Sequence, residues 1–417
     1  MSRERSNSIF LGIFFVWMIF DVYSVTTLPI KELAITSTEW TYYAGIFMLG
    51  YALSRQTEWD RRLFPLYRGI LLFAFLYILL YVGRNTYQDD HAISVILLNL
   101  LFLLAIVHIK IESRQIVLFA QISLIVTFLL LIQWVVLGLP LSGFQGYIRN
   151  PNIMGVFASC LLFFPVAGFR HVGSIQKGLF LLGMLMNLLI IYVSSARAVL
   201  LLLATVIGVK LVLSISRRLF SYLFYLVMVF NVLFLLVYGM LAKSPYFASL
   251  NEWSQEGFGK GFFSGRQNIW GPALEYGWKE PFFGHKVGVL PAEYIDGRYY
   301  VHAHNQYLQV FLESGLFGIA FFLLFLFAIW RIYQKGLDHT VVRWSACFFL
   351  GILVYQTVEI SFFGNIEPIG LLQWMIIGLG LNGVYWSRKE TISPAEDTSE
   401  TIIGKRRTSK RKLLLRK

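Results

Sequence analysis

The chain has 417 residues, 57% hydrophobic and 17% aromatic against only 14% charged, with a mean hydropathy of +0.64. A soluble domain is nearer half apolar and a quarter charged, so the composition excludes one and implies a polytopic membrane protein. The net charge of +13 does not imply nucleic acid as a partner, because much of it sits in the C-terminal run GKRRTSKRKLLLRK and the rest punctuates apolar segments, as membrane topology requires.

A lipid-crossing helix needs about 20 mainly apolar residues. In chain order such runs fall near Ile9–Thr27, Trp40–Leu53, Gly69–Val82, Ala92–Val107, Ile116–Leu137 and Met154–Phe169. They continue near Leu179–Ser194, Ala198–Leu213, Leu219–Leu241, Leu316–Trp330, Trp344–Phe363 and Ile369–Trp386. The expectation is an all-α polytopic membrane protein of about twelve transmembrane helices. Arg3 and Arg5 precede the first run, but Asp21 interrupts it and no small-residue cleavage site follows. It is therefore expected to be a retained span. Cys160 and Cys347 both lie inside apolar runs and can build neither a disulfide framework nor a cysteine metal site.

The lysines and arginines of the short loops set the expected orientation. One set of loops holds Arg55, Arg61, Arg62 and Arg68, then Lys110 and Arg114, then Arg170 and Lys177. It goes on with Lys210, Arg217 and Arg218, then Arg331, Lys335 and Arg343, then the basic tail. The alternate loops carry only Lys31, Arg84, Arg149 and Arg197, with Glu32, Asp89, Asp90 and Glu367 beside them. Both termini are thus expected on the cytoplasmic side. The division is residues 1–242 as N-terminal helices, 243–303 as one large extracytoplasmic loop, 304–387 as C-terminal helices and 388–417 as a basic tail. Cysteines placed at Ser254 and Ser399 would then label from opposite sides. A loop of about 60 residues in a compact protein is usually functional, so the chemistry is expected there.

Within that loop, FFSGRQNIWGPALEYGWKEPFFGHKVG combines glycine-rich turns, aromatics and Arg266. It reads either as an interfacial segment with Trp270 and Trp278 in an aromatic belt, or as a presentation of the planar Arg266 fork to a phosphate. Arg197 stands at the outer end of a very apolar helix, where it either snorkels to the interface or meets an anion such as a lipid-linked diphosphate. His302 and His304 stand in VHAHNQYLQVFLESGLFG, at the mouth of a span. They lack a third ligand, an HExxH pattern or a cysteine cluster, so no metal is expected. A structural cap or general-base work remains, since imidazole titrates near neutral pH and accepts a hydroxyl proton there. If the helix starts at His304, then Tyr307, Leu308 and Phe311 form a semi-apolar wall beside the ring. His302 would then point elsewhere, while Gly315 and Gly318 would let a neighbouring helix pack close.

His304–Asn305 followed by Gly315 and Gly318 resembles the signature of bacterial O-antigen ligases and related polysaccharide polymerases. Arg197 with Leu201 is similar to that family's arginine motif in an upstream membrane helix. Ser264–Trp270, Pro281–Gly288 and RNPNIMG at Arg149–Gly155 resemble its long-loop and upstream elements. The motifs run from Arg149 to Gly318 and share one expected face. The resemblance implies a metal-independent glycosyltransferase of the GT-C type with no cofactor, in a bacterial cytoplasmic (inner) membrane. Its donor would be an oligosaccharide on undecaprenyl diphosphate in the membrane lipid, its acceptor another sugar hydroxyl, and its protein partners chain-length regulators and flippases. It also implies that arginines, here Arg197 and Arg266, bind the diphosphate and that His304 activates the acceptor. Asn305, His302 and Arg298 are supporting candidates.

The expected reaction is polymerisation of lipid-linked repeat units into a surface polysaccharide. The alternative within the class is ligation of the glycan to a lipid or cell-wall acceptor. A flippase or transporter is the reading from another class. It calls for matching repeats and for charges at mid-membrane depth, whereas apart from Asp21 and Glu359 the charges gather at helix ends.

Overall fold

A computed structural model describes residues 3–56, 60–83, 90–258, 261–262, 264–295, 302–364 and 366–387. Arg84, Asp89, Arg298 and the expected tail at 388–417 lie outside them.

Among the described residues the long elements are all α-helices. They are α1 (Arg3–Asp21), α2 (Lys31–Ser54), α3 (Phe64–Gly83), α4 (Asp90–His108), α5 (Ser113–Val136), α6 (Pro151–Gly168), α7 (Ser174–Ser194), α8 (Arg197–Ile215) and α9 (Arg217–Ala242). Two shorter helices follow, α10 (Phe247–Phe258) and α11 (Gln267–Gly277), then α12 (Gln306–Tyr333), α13 (Thr340–Tyr355) and α14 (Glu367–Ser387). Ten are long and apolar enough to cross a membrane. With α2 and the shorter apolar α13 they account for the twelve runs read from the sequence. The interruption at Asp21 is absorbed inside the bundle: Thr41 donates to its carboxylate at 2.6 Å, and Ser37 donates to the other oxygen.

α6 and α14 form the centre, with 83% and 89% of their apolar windows buried, whereas α8 and α9 at 22% lie on the periphery. α6 packs against α5 and α7, α13 against α8, α12 against α3, and α2 against α4. Several polar side chains inside the bundle bond to the backbone of neighbouring helices, which a medium without water favours. The Asn382 amide, for example, donates to the Ile106 and Val107 carbonyls at the end of α4.

Two differences between the expected spans and the structure build the site. The run expected at Leu316–Trp330 begins earlier, at Gln306, with Asn305 as its N-cap accepting from Leu308 N at 2.9 Å. It is then broken at Gly315, whose φ of 62° and ψ of −157° are not helical. The break receives the 281–288 loop: Leu316 N donates to Pro281 O (2.8 Å) and His285 N to Leu312 O (2.8 Å). A Cβ at Gly315 would lie 2.3 Å from the Phe282 carbonyl carbon. Gly315 therefore turns the chain and admits a loop rather than a neighbouring helix. Gly318 does not serve helix packing either, since a Cβ there would meet Ser314 of its own helix.

The run expected at Trp344–Phe363 ends as a helix at Tyr355. Beyond it, hydropathy cannot sense the polar side chains that take the chain out of helix. Gln356 Nε2 donates to Ser361 Oγ (2.7 Å) and Gln373 Oε1 (3.0 Å), and Gln356 Oε1 accepts from Ser361 N (3.1 Å). Gln306 N donates to Gln356 O at 2.9 Å, which ties this stretch to the start of α12. Irregular backbone at such depth is tolerated only where protein surrounds it, and residues 359–363 are buried.

The segment between α9 and α12 is folded. Ile269, Trp270 and Ala273 of α11 pack with Tyr238, Val289, Leu308, Phe311 and Leu312 in a second apolar cluster. Trp270 is 3% exposed and its indole N–H donates to Ala303 O at 2.8 Å, so it anchors this segment and does not sit in an aromatic belt. Trp278 is exposed.

Gly315→Ala is expected to lower the thermal unfolding midpoint in detergent and the yield of folded protein. It adds strain of about 1–3 kcal/mol at a left-handed position and a clash with backbone that cannot yield. Gly173→Ala, where a Cβ meets nothing within 4 Å, serves as the control and should leave the midpoint unchanged.

Candidate functional site

Three chain segments bring the cationic residues together. RNPNIMG starts α6, where Asn150 accepts from Asn152 N (2.8 Å) and Pro151 occupies the first turn, the position at which proline loses no helical hydrogen bond. Gly155 on that helix leaves room for the turn between α7 and α8, since a Cβ there would lie 2.5 Å from the Ala196 Cβ. Ser195 in that turn is left-handed (φ 54°), and Arg197 follows as the first residue of α8. SGR at 264–266 makes a second left-handed turn, with φ of 51° at Ser264 and 81° at Gly265, and delivers Arg266 to the start of α11.

Arg197, Arg266 and His304 line one cavity of about 380 Å³, together with Asn152, Leu201, Tyr238, Trp253 and Glu359. Arg197 donates to Ser254 Oγ (2.6 Å), Ser264 Oγ (2.6 Å) and Gly261 O (2.9 Å). Arg266 donates to Val358 O (2.7 Å) and is ion-paired to Glu359 at 2.9 Å. The other Glu359 oxygen lies 3.1 Å from His304 Nδ1. The Arg266 guanidinium on one oxygen keeps the buried carboxylate charged, and the His304 ring faces the other. An ionised carboxylate only accepts, so Nδ1 of His304 carries the proton and Nε2 is left as the basic nitrogen.

The structure corrects the expected surroundings of the histidine. His304 precedes α12 and is left-handed, with φ of 50°. Tyr307 bonds to Leu353 O (3.0 Å) and Phe311 packs on Trp278, so neither walls the ring as expected. His302 does not point away: its ring lies 4.1 Å from that of His304, centroid to centroid, and its Nδ1 accepts from His304 N. Asn305 is 2% exposed and spends its side-chain oxygen on the helix cap, leaving orientation of a sugar to other groups. Arg298 lies outside the described residues.

Glu359 is a site residue that no sequence motif marks. Its signal was a carboxylate inside an otherwise apolar run, the kind of residue that marks function at membrane depth. Among the described residues, no group of three or more histidine, cysteine, aspartate or glutamate side chains gathers as a metal site. The chemical capacity of the cavity is therefore two guanidinium groups for an anion, one carboxylate and one oriented imidazole.

Residues 182–323 match the O-antigen ligase family model. The match supports the family resemblance read from the motifs over that stretch of the chain. The stretch matched to the O-antigen ligase family contains Arg197, Arg266, His302, His304 and Asn305, and ends before Glu359. A search of curated proteins finds no match.

Removing the carboxylate leaves the partly buried Arg266 without its charged partner. Glu359→Gln should therefore lower the thermal unfolding midpoint in detergent at neutral pH relative to wild type. An unchanged midpoint would show that the pairing with Arg266 does not contribute to stability.

Proposed function

We propose that the protein is a membrane glycosyltransferase that polymerises undecaprenyl-diphosphate-linked oligosaccharide repeat units at the outer face of the cytoplasmic membrane. The observation that supports this reading is the single cavity shared by Arg197, Arg266 and a histidine oriented by Glu359. His304 Nε2 takes the proton of an acceptor sugar hydroxyl. The freed oxygen attacks the anomeric carbon of the donor sugar as the bond from that carbon to the diphosphate breaks. Both electrons of that bond leave with the lipid diphosphate. Arg197, Arg266 and the N-terminus of α8 stabilise the charge that develops there, and Glu359 stabilises the imidazolium. The leaving group is already a good one, so the step calls for charge stabilisation and proton removal, and a chelator should leave turnover unchanged.

Ligation to a lipid or cell-wall acceptor would use the same machinery with another hydroxyl. Purified protein given lipid-linked repeat units alone distinguishes them: a ladder of longer glycans supports polymerase, and transfer only after a lipid-core acceptor is added supports ligase.

His304→Ala should cut chain extension by about 10²–10⁴-fold while leaving donor binding and protein level near wild type. Full-length polymer from this variant would remove the general base. Arg197→Lys and Arg266→Lys keep the charge but lose the planar fork, and each should lower turnover. Normal polymer from both lysine variants would end the diphosphate role. Orientation is tested with cysteines at exposed Glu256, expected to label from outside, and exposed Ser174, expected to label only after permeabilisation. Ser254 does not suit this purpose, because it is 1% exposed and holds Arg197. The reverse pattern would place the cavity on the wrong side of the membrane for such a donor.

A further inference from the structure

At the end of the bundle opposite His304, helices α1, α2, α4 and α14 surround a cavity of about 550 Å³. Its wall is apolar and faces outward, with Phe47 73% and Phe10 45% exposed on helices that present other apolar side chains to the surroundings. Its rim is cationic. Arg55 closes α2 and stands over the Tyr51 ring at 5.0 Å, and Lys110 follows the end of α4. Lys110 pairs with Glu112 at 3.1 Å, and Arg114 shares that carboxylate at 3.2 Å; among the described residues that line the cavity, Arg55 and Lys110 are cations and none is an acid.

We propose that this cavity binds an anionic glycerophospholipid, with the headgroup phosphate between Arg55 and Lys110 and an acyl chain along Phe10, Phe47 and Met48. Charge selects this occupant. The chain's own C-terminal run GKRRTSKRKLLLRK is cationic and would be repelled by the rim. A second copy of the chain would present the same rim to itself. The apolar wall, in turn, gives a free phosphate nothing to bury, whereas each methylene of an acyl chain gains about 0.8 kcal/mol on leaving water. A site on this end separates lipid binding from the transfer cavity, so the two can be perturbed independently.

The test is native mass spectrometry and thermal unfolding of the detergent-purified full chain, with phosphatidylglycerol, phosphatidylcholine or inorganic phosphate added. Wild type should retain phosphatidylglycerol and unfold at a higher temperature with it, with little response to the other two. Arg55→Gln combined with Lys110→Gln should weaken phosphatidylglycerol binding about thirtyfold, from roughly one interfacial charge contribution per residue removed. Arg55→Lys should retain binding. Equal retention of phosphatidylcholine would overturn the proposal, because the rim would not be reading charge. Equal stabilisation by inorganic phosphate would also overturn it, because the apolar wall would then be idle. Unchanged affinity in the double variant would do the same. Should the double variant fail to fold, the comparison of the three additives on wild type still decides.

Discussion

A single buried carboxylate holds the candidate site together. Glu359 lies between the Arg266 guanidinium and the His304 imidazole, at 2.9 and 3.1 Å, in a place where an unpaired charge would be driven to neutrality. Each partner makes the burial tolerable, and each is in turn fixed by it: Arg266 is held against Val358, and His304 is held in one tautomer. The backbone must leave the helix to place a carboxylate there. The glutamine and serine network of Gln356, Ser361 and Gln373 supplies the hydrogen bonds that an interrupted helix loses. The break of α12 at Gly315 completes the frame, because it docks the 281–288 loop below the start of that helix.

A second buried carboxylate shows what the partners decide. Glu313 on α12 accepts from Tyr77 OH (3.0 Å), Gln309 Nε2 (2.8 Å) and Gly288 N (3.2 Å). All three donors are neutral and each comes from a different part of the chain, so this group ties α3, α12 and the loop into one body. Glu359 has a cation and a titratable ring for partners and faces a cavity. The same side chain serves as an anchor in one place and as the shared partner of an arginine and a histidine in the other.

Much of this was legible in the sequence. Spans are long apolar runs, and apolar length is the quantity that lipid selects, so all twelve runs correspond to helices. Arg197, Arg266 and His304 were also legible, since each is a chemistry-bearing residue in a setting otherwise poor in charge, and the structure brings all three to one cavity. The rest depended on information that hydropathy averages away. Mean hydropathy over Trp344–Phe363 cannot register that Gln356, Glu359 and Ser361 find partners on other segments and that the helix ends early. The left-handed φ of His304 is set by its neighbours in space, so the spacing of residues along the chain reveals neither that it precedes the helix nor that His302 turns toward it. Asn305 in a helix-opening position reads equally as cap or ligand until its bond to Leu308 N is seen. Gly315 was marked as special for its lack of a side chain, but only the loop lying across it shows what that absence accommodates.

Arg197 is already engaged before any substrate arrives, through Ser254, Ser264 and the Gly261 carbonyl. An incoming anion therefore does not meet a bare cation; it exchanges places with oxygens the protein already supplies. The net grip on a diphosphate is the difference between two sets of bonds, and it is far smaller than the gross attraction of a guanidinium for phosphate. The same oxygens are waiting when the reaction is over. Under the proposed reaction, in which a lipid carrier leaves after every sugar transfer, such an exchange would favour turnover, because the hydroxyls of the covering segment would displace the spent diphosphate as readily as they yielded to it.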